Sequence, residues 1–308
     1  MKSIAVIGGG ITGVTTAYAL AKRGYSVTLL EKHRYAAMET SFANGGQLSA
    51  SNAEVWTHRS TLLKGLKWML KSDAPLLVNP KPSWHKLSWF AEFIANIPQY
   101  RQHTIETARL AVAAREHLFA WAEAEGVQFD LRKEGILHIY RDKAGFDHAG
   151  EVSKLLAAGG LPRRAVTPAE MRAIEPTLAG NYYGGYFTES DSTGDIHLFT
   201  NGLAAAAERL GVRLLFGQQV RSLRSDGQTA VVKVADEAGL QEHRFDALVV
   251  CAGVASRELA AQLGDRVNIY PVKGYSITVN LLDAQSQRAA PTVSLLDDET
   301  QRVTSRLG

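Results

Sequence analysis

The residues best suited to hold a charged ligand are the run Gly8-Gly-Gly10-Ile-Thr-Gly13 and the acid Glu31. Gly8 allows a tight turn, Gly10 lets the backbone approach a pyrophosphate, and Gly13 lets a helix lie close on a strand. The unpaired N–H groups of that helix's first turn, with their partial positive charge, suit two phosphates. Glu31 can accept hydrogen bonds from ribose hydroxyls, and its charge repels a 2′-phosphate, which disfavours NADP. Three glycines in a turn are a weak signal alone. Here they follow the apolar run Ile4-Ala-Val-Ile7, open an alanine-rich segment from Val14 to Ala21 that stops at Gly24, and precede Ser26-Val-Thr-Leu-Leu30. That order of strand, glycine turn, helix, strand and acid is a dinucleotide-binding fingerprint.

The elements that must position this turn are split along the chain. From Lys32 to Asn52 the pattern is polar and glycine-bearing, an extended loop where a nicotinamide-binding domain would more often continue with another crossover. Gln99 to Glu125 reads as a long helix, Gly135 to Tyr140 as a strand, and Phe146 to Ala158 as a helix. Thr167-Pro168-Ala-Glu170 is a capping-box helix start, a structural device. Tyr182 to Phe187 reads as a strand whose tyrosines either line a pocket or fill the core. Leu198 to Leu210 is helical. The βα pattern returns with strands over Val212 to Phe216, around Ala230 to Val234, and from Phe245 to Gly253.

Composition narrows the function. With 308 residues, 45% hydrophobic and 21% charged, the chain can bury a substantial core and form two domains. A net charge of +3 with no long basic run gives no reason to expect nucleic acid. The single cysteine, Cys251, excludes an internal disulfide and a cysteine-cluster metal site, and its apolar setting favours a small buried residue over a nucleophile. The histidines lack ligand spacing, so no metal is expected. Lys2 and the apolar stretch after it look superficially like a secretory signal, but three glycines interrupt that stretch and a cytoplasmic address is expected. No apolar run is long enough to span a bilayer. Leu62, Leu66 and Met69 share one helical face, and Lys64, Lys67 and Lys71 another. With Trp68, Trp84 and Trp89 they suggest weak peripheral membrane contact over residues 60 to 95, against the plainer reading of helices packed on their own domain.

Several motifs together resemble the flavoprotein family of D-amino acid oxidases and dehydrogenases, nearest its dehydrogenase branch. They are Val6-Ile-Gly-Gly-Gly-Ile-Thr-Gly-Val14, Thr40-Ser-Phe-Ala-Asn-Gly-Gly-Gln47, Val249-Val-Cys-Ala-Gly253, Pro271-Val-Lys-Gly-Tyr-Ser276 and Val303-Thr-Ser-Arg306-Leu-Gly308. The resemblance implies an α/β fold: a Rossmann-like FAD-binding domain, 1–60 and 191–264, interleaved with an α+β substrate domain of antiparallel sheet and helices, 61–190 and 265–308. It implies FAD, with Ile7, Gly8, Gly9, Gly10, Ile11, Thr12 and Gly13 on the pyrophosphate and Glu31 and Lys32 at the ribose. Ser41, Asn44, Gly45, Gly46, Gln47 and Leu48 would run toward the flavin, Val220 would meet the adenine, and Ala252 and Gly253 would return beside the pyrophosphate.

The chemistry implied is hydride transfer from the Cα of a D-amino acid to flavin N5. The resulting imino acid hydrolyses to a 2-oxo acid and ammonia, and the electrons pass to a quinone or other respiratory-chain acceptor. Such a reaction asks the protein mainly to bind, orient and exclude water. Arg306 matches the arginine that pairs with the substrate carboxylate, the bland alternative being a surface arginine. Lys273 and Tyr275 lie in the motif passing near the flavin, or are ordinary strand residues. Members of the family continue beyond the Ser-Arg-Leu-Gly turn, so the chain is expected to lack a C-terminal, FAD-contacting segment. Competing expectations are a glycine or sarcosine oxidase using oxygen, a nicotinamide dehydrogenase, and a non-catalytic FAD-binding subunit.

Overall fold

The structure, a computed structural model, describes residues 1–68, 81–237 and 239–307. The side chains of Lys64, Leu66, Lys67 and Trp68, and all of Met69 and Lys71, on which the expected basic face depends, lie outside the described residues. Two compact units form. The first comprises Met1–Asn44, Ala120–Phe129 and Asp195–Ser276, and the second Gly45–Phe119, Asp130–Gly194 and Ile277–Gly308.

Along the chain the elements are β1 (Ser3–Ile7), α1 (Ile11–Lys22), β2 (Ser26–Leu30), β3 (Gln47–Leu48), α2 (Arg59–Trp68), α3 (Trp84–Ala95) and α4 (Tyr100–Glu125). There follow β4 (Ile136–Tyr140), α5 (Lys143–Ala158), β5 (Arg164–Val166), α6 (Pro168–Ile174), β6 (Gly184–Thr188), β7 (Ser192–Thr193) and α7 (Ile196–Arg209). The last are β8 (Arg213–Leu215), β9 (Gln219–Ser225), β10 (Ala230–Asp236), β11 (Gly239–Phe245), β12 (Ala247–Val250), α8 (Ser256–Gln262), α9 (Ala284–Ala289), β13 (Ser294–Asp297) and β14 (Arg302–Thr304).

In the first unit β12, β1, β2 and β8 form a parallel sheet in that order. The crossover of β1 through α1 to β2 is the local unit read from the glycine pattern. The next parallel neighbour, β8, comes from residue 213 onward, so the loop after Glu31 leaves the sheet and the chain returns to it much later. Ala5, Ile7 and Leu30 pack on the antiparallel meander β9–β10–β11 through Leu223, Val232, Val234 and Phe245. Ile4 and Val6 face the other way by strand alternation, and α1 packs against α7. The expected buried strand from Phe245 is only half-buried over β12, because β12 is the edge of the sheet. Residues 120–129, expected in the substrate domain, pack in this unit instead: Trp121 stacks obliquely on Tyr18 at 5.2 Å and Phe129 on Phe199 at 5.4 Å.

The second unit carries a five-stranded sheet ordered β14-β13-β4-β6-β5. Expected to be antiparallel, it is mixed: β13 arrives from α9 and lies parallel beside β4, while the other pairs are antiparallel. Leu137, Ile139, Val166, Met171, Leu178 and Val293 form one core. Tyr140, Ala149 and Tyr186 form another on the α5 side, so Tyr186 fills core. The capping box at α6 forms, Thr167 accepting from the Glu170 amide and Glu170 from the Thr167 amide. Residues 45–60 also pack here, on α4 and α5 through Ala50 and Ala53.

Candidate functional site

In the first unit the glycine turn is an open cradle. Gly8 sits at φ +109°, a conformation that favours glycine, and a Cβ there would meet the Cys251 carbonyl. A Cβ on Gly13 would overlap the Gly8 carbonyl, whereas one on Gly10 would meet only the Ser41 hydroxyl at 3.4 Å. Gly8 and Gly13 are therefore glycines for packing, and Gly10 faces space. Gly10 precedes α1 as a cap residue with no side chain of its own, so first-turn amides beyond that of Ile11 are left for a ligand. The Ile11 amide donates to Ser41 Oγ at 3.0 Å, which fixes the Ser41 loop over this turn. Thr12 is exposed at the same end.

Glu31 is buried, its carboxylate accepting from the Gly9 amide at 2.5 Å and from the His33 amide at 2.8 Å. A carboxylate has about four lone-pair sites, so acceptors remain for ribose hydroxyls. The Gln218 amide donates to the Glu31 carbonyl at 2.9 Å, which brings the start of β9, with Val220 two residues beyond Gln218, to the Glu31 end. Ala252 follows Cys251, whose amide donates to the Ile7 carbonyl at 2.7 Å, and Gly253 has φ +56°. Lys32 is exposed and paired with Glu39 at 2.6 Å. Burial raises the Cys251 thiol, and Thr16 Oγ1 at 3.9 Å only partly offsets this, as befits a small packing residue. These features fit a dinucleotide with free ribose hydroxyls.

One contributor escaped the sequence reading. Ala37 adopts φ +64° and its amide donates to the Gly9 carbonyl at 2.8 Å, while its own carbonyl accepts from His197 Nδ1 at 3.0 Å. His197 also meets the rings of Phe42 and Tyr35 edge-on. It thereby ties α7 to the loop beside the cradle. Only its place ahead of an alanine-rich helix was visible in sequence.

In the second unit the remaining loop residues meet the end of the chain. The Ser305 hydroxyl donates to the Gly45 carbonyl at 2.6 Å, a Cβ on Gly45 would meet Val303, and one on Gly46 would meet the Leu307 side chain. Gln47 and Leu48 form β3, paired with Thr193 and Ser192, and Gln47 Nε2 donates to the Leu295 carbonyl at 3.2 Å. Arg306 is half-buried in this corner and reaches the Gln287 carbonyl only at 3.4 Å. Asn44 closes the first unit's loop, its amide donating to the Ser41 and Thr40 carbonyls. The structure thus joins Gly45–Leu48 to Arg306 within one unit.

Lys273 and Tyr275 are not in a strand. Residues 265–282 form no ladder, Tyr275 is 86% exposed, and the Lys273 ammonium lies 5.0 Å from its ring centroid. The alternation Tyr275, Ile277, Val279 has strand character but no hydrogen-bonded neighbour among the described residues.

A parallel βαβ core, a helix opening at a glycine turn and a buried acid at the end of the second strand define a dinucleotide-binding fold. Residues 3–306 match the family described as FAD dependent oxidoreductase, and the chain belongs to that family. FAD is accordingly its cofactor. It is 58% identical to D-amino acid dehydrogenase 3 of Mesorhizobium japonicum, over 100% of this chain and 74% of that protein. It is 39% identical to D-amino acid dehydrogenase of Paramagnetospirillum magneticum, over 99% and 72%. Among solved structures it resembles L-proline dehydrogenase from P. horikoshii (TM-score 0.62, 18% identity, 97% of this chain and 64% of that one). It also resembles glycine oxidase from Geobacillus kaustophilus (TM-score 0.59, 20% identity, 86% and 59%). The chain therefore spans less than two thirds of these solved chains, and at such identities they speak for the fold alone.

Proposed function

We propose that this protein oxidises D-amino acids to 2-oxo acids and ammonia and passes the electrons to a quinone or another respiratory-chain acceptor. The observation that carries the reading is the corner in which Ser305 holds Gly45 and Arg306 stands beside the 45–48 loop. The relatives' names support the substrate class.

Bound FAD supplies a two-electron acceptor for hydride. The protein's share is binding and orientation. Arg306 presents a planar fork to the substrate carboxylate, and its long contact with the Gln287 carbonyl costs little to give up. Gly8 to Gly13 with the α1 end hold the pyrophosphate, Glu31 and Lys32 lie at the ribose, and Ser41, Asn44 and Gly45 to Leu48 carry the chain toward the flavin. Val220 takes the adenine end and Ala252-Gly253 the return past the phosphates. We assign the carboxylate to Arg306 ahead of Lys273, because Arg306 is half-buried in a hydrogen-bonded corner and Lys273 is exposed. Among the described residues no helix is long and apolar enough to cross a membrane. We place the reaction at the cytoplasmic side.

Anaerobic addition of D-alanine to FAD-loaded protein tests this. The yellow flavin should bleach with D-alanine and not with L-alanine, and a soluble quinone should restore the colour faster than oxygen does. Rapid reoxidation by oxygen would indicate an oxidase, and bound FAD that no D-amino acid reduces would indicate a non-catalytic subunit.

A further inference from the structure

A line of polar side chains runs through the second unit from the end of the 45–48 loop to the surface. Ser49 follows Leu48 and is half-buried. Its Oγ lies 3.0 Å from Ser51 Oγ, and Ser51 Oγ lies 2.8 Å from His138 Nε2. Across the ring, His138 Nδ1 faces Asp298 Oδ2 at 3.6 Å. Ser51 and His138 are each only 2% exposed, whereas the Asp298 side chain is 36% exposed.

The surroundings of the ring give this line a direction. His138 Nδ1 has no hydrogen-bond partner among the described residues, a costly state for a buried nitrogen unless a charge compensates it. A carboxylate only accepts, so Nδ1 carries the proton of the neutral ring and Nε2 is left as a base toward Ser51. Partial burial works against the Asp298 charge, but His138 and then Tyr140 hold its carboxyl below the usual aspartate range, so an anion stands ready for an imidazolium. The neighbouring charges are engaged elsewhere. Glu54 accepts from Tyr100 and lies 3.2 Å from His148, Arg163 donates to Ser153 and the Ala149 carbonyl, and Tyr140 donates to Asp298. Asp191, 3.5 Å from Ser49 Oγ, already accepts the Ala50 and Ser51 amides and pairs with Arg115. Serine, histidine and aspartate in this order also serve nucleophilic attack, but Ser51 is too buried to reach a substrate. The line suits proton movement.

The proposed oxidation needs such a path. A D-amino acid arrives as an ammonium, and the imino product requires the nitrogen lone pair, so one N–H proton must leave while the hydride departs from Cα to the bound flavin. We propose that Ser49, Ser51, His138 and Asp298 form the relay that removes the ammonium proton of the substrate. The N–H bond breaks and its electron pair stays on nitrogen. The proton passes to Ser49 Oγ as Ser49 gives its own to Ser51, and Ser51 gives its own to His138 Nε2. Asp298 balances the imidazolium, and from its exposed edge the proton reaches water. This relay rests on the catalytic reading, in which Arg306 holds the carboxylate beside the loop that Ser49 continues.

Stopped-flow reduction of the FAD-loaded full-length chain by D-alanine, followed from pH 6.5 to 9.5, separates a relay from a scaffold. Ser51→Ala should be at least tenfold slower than wild type near pH 7 and recover by about tenfold per pH unit, as free amine from solution replaces the relay. His138→Gln keeps an acceptor for Ser51 but cannot take its proton, and should behave the same way. A structural loss would instead depress the rate by one factor at every pH. A second readout needs no turnover: ring-nitrogen NMR on isotope-labelled wild type near pH 8 should show His138 protonated at Nδ1 and bare at Nε2. The Nε2–H tautomer, or variant rates that run parallel to wild type across the range, would overturn the relay. If D-alanine fails to bleach wild type, the catalytic reading falls and the relay with it; if wild type bleaches and the variants match it, the relay alone falls.

Discussion

Two side chains carry the residue-scale expectations. Arg306→Leu should retain FAD, because the cradle lies in other residues, yet lose most flavin reduction by D-amino acids. A charge-assisted pair with a desolvated carboxylate contributes about 2–4 kcal/mol, so a 30- to 1000-fold fall in substrate affinity is expected. Amino acid amides should be much less affected, and Arg306→Lys should restore little, since lysine lacks two parallel donors. Stopped-flow reduction across substrate concentrations measures this, and reduction at near wild-type rates would assign the carboxylate to another cation. Glu31→Gln removes the charge that accepts the Gly9 and His33 amides and that we propose for the ribose. FAD affinity should drop about tenfold, or ~1.4 kcal/mol, by fluorescence titration of the apoprotein. Glu31 and the glycines were legible in sequence because each does a job only its own type can do. His197 was not, because its role depends on where α7 comes to lie.

At the scale of elements, the 3-10 turn at Ala50–Asn52 is pinned by a buried acid. Asp191, 0% exposed, accepts from the Ala50 and Ser51 amides at 3.1 Å each and pairs with Arg115 at 2.5 Å. Removing the cation leaves the charge buried without its partner, so Arg115→Leu should cost about 3–5 kcal/mol in urea unfolding. An unchanged midpoint would show that the two amides suffice. Strand and helix positions in this region followed from periodicity, but the partners of strands did not. β13 lies parallel to β4 because α9 carries the chain across before it enters the sheet, a long-range event with no local signal. The stretch Tyr275 to Val279 has the alternation of a strand and forms none, because a strand needs a hydrogen-bonded neighbour as well as a pattern.

For the whole molecule, acid should be the weak point. Burial raises Glu54, Glu175, Asp297 and Asp298, but partners outweigh it: His148 and Tyr100 at Glu54, Thr177 with the 292–293 backbone at Glu175, Arg141 at Asp297, and His138 at Asp298. All four are held below their ordinary values of 4.5 for glutamate and 3.8 for aspartate. A carboxylate more acidic in the folded than in the unfolded chain stabilises at pH above its unfolded value, and that stability is lost as pH falls through the folded value. Thermal midpoints should therefore be level near neutrality and fall steeply below about pH 4. Glu175→Gln should flatten the slope. A midpoint insensitive to pH from 6 to 3 would refute this reading.

The sequence by itself determined the glycine turn and the buried acid beside it. A glycine turn, the helix it opens and the acid that follows the next strand are local, and Gly8 and Gly13 answer to the steric demands of their own backbone. Only the tertiary structure decided that Gly45 to Leu48 share a corner with Arg306 and that residues 120–129 pack with the first unit. Those outcomes rest on contacts between residues far apart in the chain, and a helical pattern states which residues share a face without stating which way that face will point.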